Sequence, residues 1–208
     1  MSEIAPDTKA PPRRRMRKDL RRQTILLAAT RALAESGPEG VSMGRVASML
    51  GISRTMLYDH FASRAELLVA IHDDYARFLQ EKVSAAVAGN DRDLNSLARA
   101  SVRGFLDAVA ERGVFNRRVL RIGAAEPDVR DSQRRLWRFA VDGTIARVRP
   151  LVGPVDEGKL RLAASMTISL MVQAATMWLE GECTREQAED IYVTMAVPAL
   201  SALASGRE

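Results

Sequence analysis

Residues 41–61 read VSMGRVASMLGISRTMLYDHF. Within this stretch Arg54, Thr55, Tyr58, Asp59 and His60 crowd hydrogen-bonding side chains into about two helical turns. Elsewhere the chain offers no paired nucleophile and base, no metal-ligand spacing, no P-loop and no dinucleotide fingerprint. The chemistry to expect is therefore recognition rather than bond making, with no enzymatic activity, no cofactor and no metal. Two short capped helices joined by a tight turn at Gly51 form a helix-turn-helix, at about Ser42 to Phe61. Its second helix is narrow enough to enter the major groove of double-stranded DNA.

The neighbouring elements must hold that second helix proud of the surface. Ile25, Ala28, Ala29, Ala32 and Leu33 recur on one helical face, and Gly37-Pro38 stops the helix. Met43, Val46, Ala47 and Leu50 repeat the pattern over a shorter helix, with Ser42 placed to cap it and Val41 and Val46 placed as a hydrophobic staple. Arg45 stands where a capping box would need Glu or Gln, so it is left either for a phosphate or for solvent. Ser53 can cap the next helix, about 54–60, stapled by Ile52 and Leu57. Leu57 and Phe61, four apart, read as core. Ser63 and Glu66 form a capping box opening a long helix that carries Leu68, Ile71, Tyr75 and Phe78 on one side.

Charge is unevenly spread. The net charge is +5, and residues 1–22 hold eight basic and three acidic residues, so the rest of the chain is neutral overall. Residues 1–18 lack periodicity and contain Pro6, Pro11 and Pro12, which predicts a disordered basic arm. Arg13, Arg14, Arg15, Arg17 and Lys18 suit a polyanion, and such arms enter minor grooves. The N-terminus has no apolar run of a signal peptide, and Cys183 is the only cysteine, so a cytoplasmic location is expected. The least charged stretch, Leu162–Leu179, contains Ser165, Thr167, Ser169, Gln173 and Thr176, which argues for a buried or interfacial helix and no membrane span.

The remaining chain is helical in pattern, with helices expected near 91–112, 114–123, 128–149, 156–180 and 184–204. Thr184 and Gln187 form another capping box, and Pro198 should kink the last helix. The fold class is all-α.

The stretch from about Asp19 to Phe78 resembles the DNA-binding domain of the TetR family of bacterial regulators. The resemblance rests on Ala28-Ala29, Gly37, Val46-Ala47, Leu50-Gly51-Ile52-Ser53, Leu57-Tyr58, His60-Phe61, Ser63-Arg64 and Leu67 in this order. Beyond it the likeness is one of layout only. It implies a basic arm over 1–18, a DNA-binding domain over 19–78 and a larger helical regulatory domain over 79–208. Carried onto these positions, Arg54 and Thr55 would read base edges, Arg by a fork onto guanine O6 and N7. Ser42, Arg45, Ser53, Tyr58, His60 and Arg64 would hold phosphates, Arg64 from a helix N-terminus where its charge and the helix dipole agree. Gly44 removes one contact that many relatives have. Asp59 is left to exclude bases, to accept from cytosine or to point away.

The resemblance further implies a homodimer formed through the last two helices on a palindromic operator, and a cavity for an unknown small molecule in the larger domain. Phe105, Phe115, Trp137, Met166, Ser169, Gln173 and Trp178 are candidates to line it, with Met171 and Thr176; each also suits plain packing, a helix carbonyl or the partner subunit. The arginines from Arg112 to Arg138 suggest either an anionic ligand or a solvated face paired with acids. His72-Asp73-Asp74 reads as a solvated face, because adjacent helical residues do not converge on a metal. The function expected is repression relieved by a small molecule; activation, a ligand-independent DNA-binding role and a nonspecific nucleoid-type binder are the alternatives.

Overall fold

The computed structural model describes residues 13–90, 92–112 and 127–205, with side chains over 18–90, 92–112 and 129–204. All regular elements among them are helical: α1 (Arg13–Ser36), α2 (Met43–Leu50), α3 (Arg54–Tyr58), α4 (Arg64–Val87), α5 (Leu94–Arg112), α6 (Pro127–Val152), α7 (Glu157–Glu180) and α8 (Arg185–Ser205). A single 3-10 turn, Pro38–Gly40, follows α1. The chain divides into two compact units between Leu67 and Leu68, inside α4.

In the first unit, α1 starts at Arg13, six residues before the expected onset at Asp19. Apolar periodicity fades there, but Arg, Lys, Met and Leu propagate a helix well once its apolar face is packed. The expected arm is therefore helical over 13–18. The side chains of Arg13, Arg14, Arg15 and Arg17 lie outside the described residues. Ile25, Ala29, Ala32 and Leu33 of α1, Val41, Val46 of α2, Leu57 of α3, Phe61 and Leu67 are fully buried. Each large aliphatic side chain so buried contributes about 1.5–3 kcal/mol. Ser42 accepts from the Arg45 N–H and caps α2. Gly51 ends α2 at φ 63°, a conformation that disfavours any Cβ, and its N–H reaches back to Ala47 O and Ser48 O. Ser53 then accepts from the Met56 N–H and starts α3 two residues later.

In the second unit, α5, α7 and α8 share one apolar core, with Val102, Leu106, Met171, Ala175, Tyr192 and Val193 at its centre. A second core joins α6 and α7 through Val141, Ile145, Val148, Leu160, Ala164 and Ile168. Gly104 lets α5 approach α4: a Cβ there would meet the Ala86 Cβ at 2.5 Å. Glu189 of α8 is buried and accepts from Arg99 at 2.9 Å and Arg103 at 2.7 Å, which ties α8 to α5. Thr184 and Gln187 make the full reciprocal capping box of α8. Helix α6 runs past Pro150 to Val152, because proline in a last turn removes only one ladder bond, and Gly153 closes it. The expected helix at 114–123 lies outside the described residues. Among the described helices α7 alone is long and apolar enough to cross a membrane. One of its faces is buried in these cores.

Candidate functional site

Helix α3 buries only Leu57 and leaves Arg54, Thr55, Met56 and Tyr58 exposed. Its position follows from local chemistry: a glycine turn, a serine cap and one apolar anchor. The phenol of Tyr58, 51% exposed, stands off the surface. Arg54 bends back over the first turn of α2, where a Cβ on Gly44 would meet its Nη2 at 2.6 Å. Ser42, Ser53 and Asp59 are exposed beside it. The hydroxyls of Ser42 and Ser53 already accept from their helices' N–H groups, which leaves each a proton to donate.

Two expected phosphate contacts, Arg64 and Arg45, bond within the protein, and a third, His60, is half-buried. Arg64 donates from Nε to Val41 O at 2.8 Å and from Nη2 to Pro38 O at 2.9 Å. Its guanidinium clamps the turn before α2, because these loop carbonyls lack a helical ladder to satisfy them fully. Arg45 donates to Ser36 Oγ at 2.8 Å and to Glu35 at 3.1 Å while its side chain stays partly exposed. His60 is half-buried, its Nδ1 sealed off without a partner among the described residues. Burial, then Lys18 and Arg21, hold its pKa below the ordinary value, against the opposing pull of Asp59, so the ring is neutral at pH 7. Arg22 donates to the His60 carbonyl and lies 3.9 Å from the Phe61 ring centre, a packing role that the sequence did not signal. Ser63 caps α4 by accepting from the Glu66 N–H, while Glu66 accepts in turn from Ala62 rather than from Ser63.

The second unit holds a cavity of about 1130 Å³. Of the residues expected there, Phe105, Trp137, Met171 and Thr176 line it. Met166, Ser169, Gln173 and Trp178 do not. Met166, Ser169 and Gln173 lie on the exposed face of α7, and Ser169 bonds to Ser165 O. Trp178 packs against the α5–α7–α8 core. The few polar residues of α7 are spread around the helix, so only packing could say which side turns inward. Phe115 lies outside the described residues. Thr176 spends its proton on Val172 O.

His72 corrects another expectation. It is buried, not solvated, and its Nδ1 lies 2.7 Å from Ser132 Oγ, whose hydroxyl donates to Asp73. With that proton committed to Asp73, His72 Nδ1 is the donor and Nε2 is left as an acceptor. Leu68, His72, Tyr75 and Leu79 fall four, three and four residues apart, a stripe beside the one visible in the sequence. Burial holds the His72 pKa below its ordinary value against the opposing pull of Asp73. The cavity's wall also includes Arg130, Arg134, Arg135, Arg138 and Arg147. Arg134 pairs with Asp131, whereas Arg135 reaches Asp73 and Arg112 reaches Asp74, both on α4. Among the described residues no group of three His, Cys, Asp or Glu side chains is placed to hold a metal.

Residues 25–71 match the family described as bacterial regulatory proteins, tetR family. Over 169 residues, 81% of this chain and 76% of the relative, the chain is 24% identical to the HTH-type transcriptional activator FasR of Mycolicibacterium smegmatis. Over 62 residues, 29% of this chain and 33% of the relative, it is 37% identical to the HTH-type transcriptional repressor AcnR of Corynebacterium diphtheriae. A crystal structure of a tetR-family transcriptional regulator from Streptomyces coelicolor superposes with a TM-score of 0.71 at 22% identity, covering 91% of this chain and 84% of that one.

Proposed function

We propose, from the match of residues 25–71 to the tetR family of bacterial regulatory proteins, that the chain is a DNA-binding, non-enzymatic transcription regulator, and more finely a homodimeric repressor released from a palindromic operator by a small molecule. The observation that carries this reading is the pairing, in one chain, of an exposed reading helix α3 with a cavity of about 1130 Å³ in the second unit. A cavity of that size, with aliphatic and aromatic walls and several arginines around it, suits a small-molecule effector.

Helices α7 and α8 support the dimer. On α7, Leu162, Met166, Ser169, Gln173 and Met177 recur at four- and three-residue steps and are exposed; Leu162 and Met166 are each 63% exposed. On α8, Ile191, Met195, Ala199 and Ala202 repeat the arrangement. Exposed Leu, Met, Ile and Ala side chains on two neighbouring helices, with Ser169 and Gln173 among them, suit an isologous four-helix contact with a second copy. Two copies would set their α3 helices about one DNA turn (~34 Å) apart. Arg54 and Thr55 would read bases, with Ser42, Ser53 and Tyr58 on phosphates. The basic residues around Lys18 would add long-range attraction to the phosphate backbone.

The effector must favour a spacing of the two reading helices that does not fit the operator, since a ligand indifferent to the two states shifts nothing. Activation is the second reading, favoured by the likeness over 81% of this chain to FasR, a transcriptional activator. Genome-wide binding-site selection followed by a reporter assay tests both. A palindromic site whose occupation lowers transcription supports repression, and raised transcription supports activation. Equal affinity for selected and random DNA at every salt concentration ends both.

A further inference from the structure

We infer that the cavity takes an amphipathic anion, with the negative head held by Arg147 and Ser84 and the apolar body laid along Leu79, Val83, Phe105 and Ile168. The inference rests on the reading of this cavity as the effector site and names the chemical class it admits.

The charge balance of the wall carries the first part. Five arginines and one aspartate line the cavity, and the aspartate, Asp131, is paired with Arg134 at 3.4 Å. Arg135 reaches Asp73 at 3.9 Å. Among the described residues Arg130, Arg138 and Arg147 have no carboxylate at ion-pair distance. A guanidinium stays charged at any pH the protein survives.

Arg147 is set apart by its surroundings. It is half-buried on α6, and it lines both the large cavity and a second pocket of about 50 Å³. Among the described residues it donates only to neutral oxygens, Gly143 O at 3.3 Å and Ser84 Oγ at 3.2 Å. A cation half withdrawn from water next to Val83, Ile168 and Met171 calls for a counter-ion, and no described residue supplies one there. Ser84 accepts from Arg147 and keeps its own proton to donate. Guanidinium and hydroxyl together form a donor pair that fits a carboxylate or a phosphate.

The apolar part follows from the rest of the wall. His72 and Ser84 both line the cavity from α4, twelve residues apart, a span of roughly 18 Å along a helix axis. Between them stand Tyr75, Leu79 and Val83, faced by Phe105, Ile168 and Met171. A compact polar anion would leave most of that surface unfilled. An extended or multi-ring hydrocarbon body with one anionic end fills it and supplies the missing charge.

Titration calorimetry on the full chain tests this with decanoate, decyl phosphate, decan-1-ol and decyltrimethylammonium, each below its micellar concentration. The two anions should bind about tenfold or more tightly than the alcohol, and the ammonium should not bind. The tighter of the two anions names the head group. Arg147→Met should weaken both anions about tenfold while leaving the alcohol unchanged, and Ser84→Ala should weaken them less. Alcohol or ammonium binding as tightly as the anions overturns the inference, as does an Arg147→Met protein that binds decanoate like the parent. The head-group comparison uses the unaltered chain, so a variant that fails to fold does not remove the test. Operator affinity is measured alongside. Anion binding without any change in operator affinity keeps the ligand class and ends the effector reading. Operator release by a neutral compound, with no anion bound, ends the ligand class and keeps the regulator.

Discussion

Arg54 lies flat against Gly44, close enough that a Cβ on the glycine would stand 2.6 Å from Nη2 and 3.1 Å from Cζ. The first turn of α2 thus stores the side chain that α3 would present to a base. Gly44→Ala displaces a flexible guanidinium and little else. Stability should stay within about 1 kcal/mol of the parent. The base preference at one operator position should change, as read by binding-site selection on the variant.

Arg54→Ala removes the reader itself. It should cost roughly 1–3 kcal/mol on the preferred site and relax the preference at a single base pair. Tyr58→Phe should instead weaken preferred and random DNA alike. An unchanged preferred sequence in the Arg54→Ala protein would show that another residue reads the base.

Arg64 separates a structural from a DNA-contacting role. Its loss leaves the Val41 and Pro38 carbonyls under-satisfied, so Arg64→Met should lower unfolding free energy by about 1–3 kcal/mol in urea titrations. The salt dependence of DNA binding should not change. A phosphate contact would instead reduce the slope of log K against log salt by about one.

His72 gives the second unit a pH dependence. Burial lowers its folded pKa below the unfolded value of about 6.5, so the unfolded chain takes up the proton first as the pH falls. Its contribution is intact above about pH 6.5 and is lost as the pH drops through the depressed folded value. His72→Gln should therefore flatten the fall in stability between pH 7 and pH 5 measured by urea unfolding. Ser132→Ala, which strands His72 Nδ1–H, should cost about 1–3 kcal/mol at pH 7.5.

The α7–α8 face predicts the assembly. Met166→Glu together with Ile191→Glu places carboxylates in the exposed apolar stripes. Sedimentation should show the parent as a dimer and the double variant as a monomer with intact helicity. A parent that is monomeric at micromolar concentration, or a variant that still pairs, would exclude this face.

Sequence alone determined the elements of the reading domain. A glycine with positive φ, serines at helix starts and apolar residues at helical spacing act within a few residues, so Ser42, Gly51 and Ser53 announce α2, the turn and α3 before any packing is known. The same local signals placed the ends of α5 through α8 to within a few residues. Only tertiary structure decided what the long polar side chains do. Arg45, Arg64 and Arg22 reach across several ångströms to groups far away in the chain, a choice that no spacing encodes. It also decided which side of α7 meets the cavity and which meets solvent, because a charge-poor helix with its polar residues spread around it gives little to orient it. His72 turned inward for a related reason: its stripe becomes visible only once α6 brings Ser132 against it.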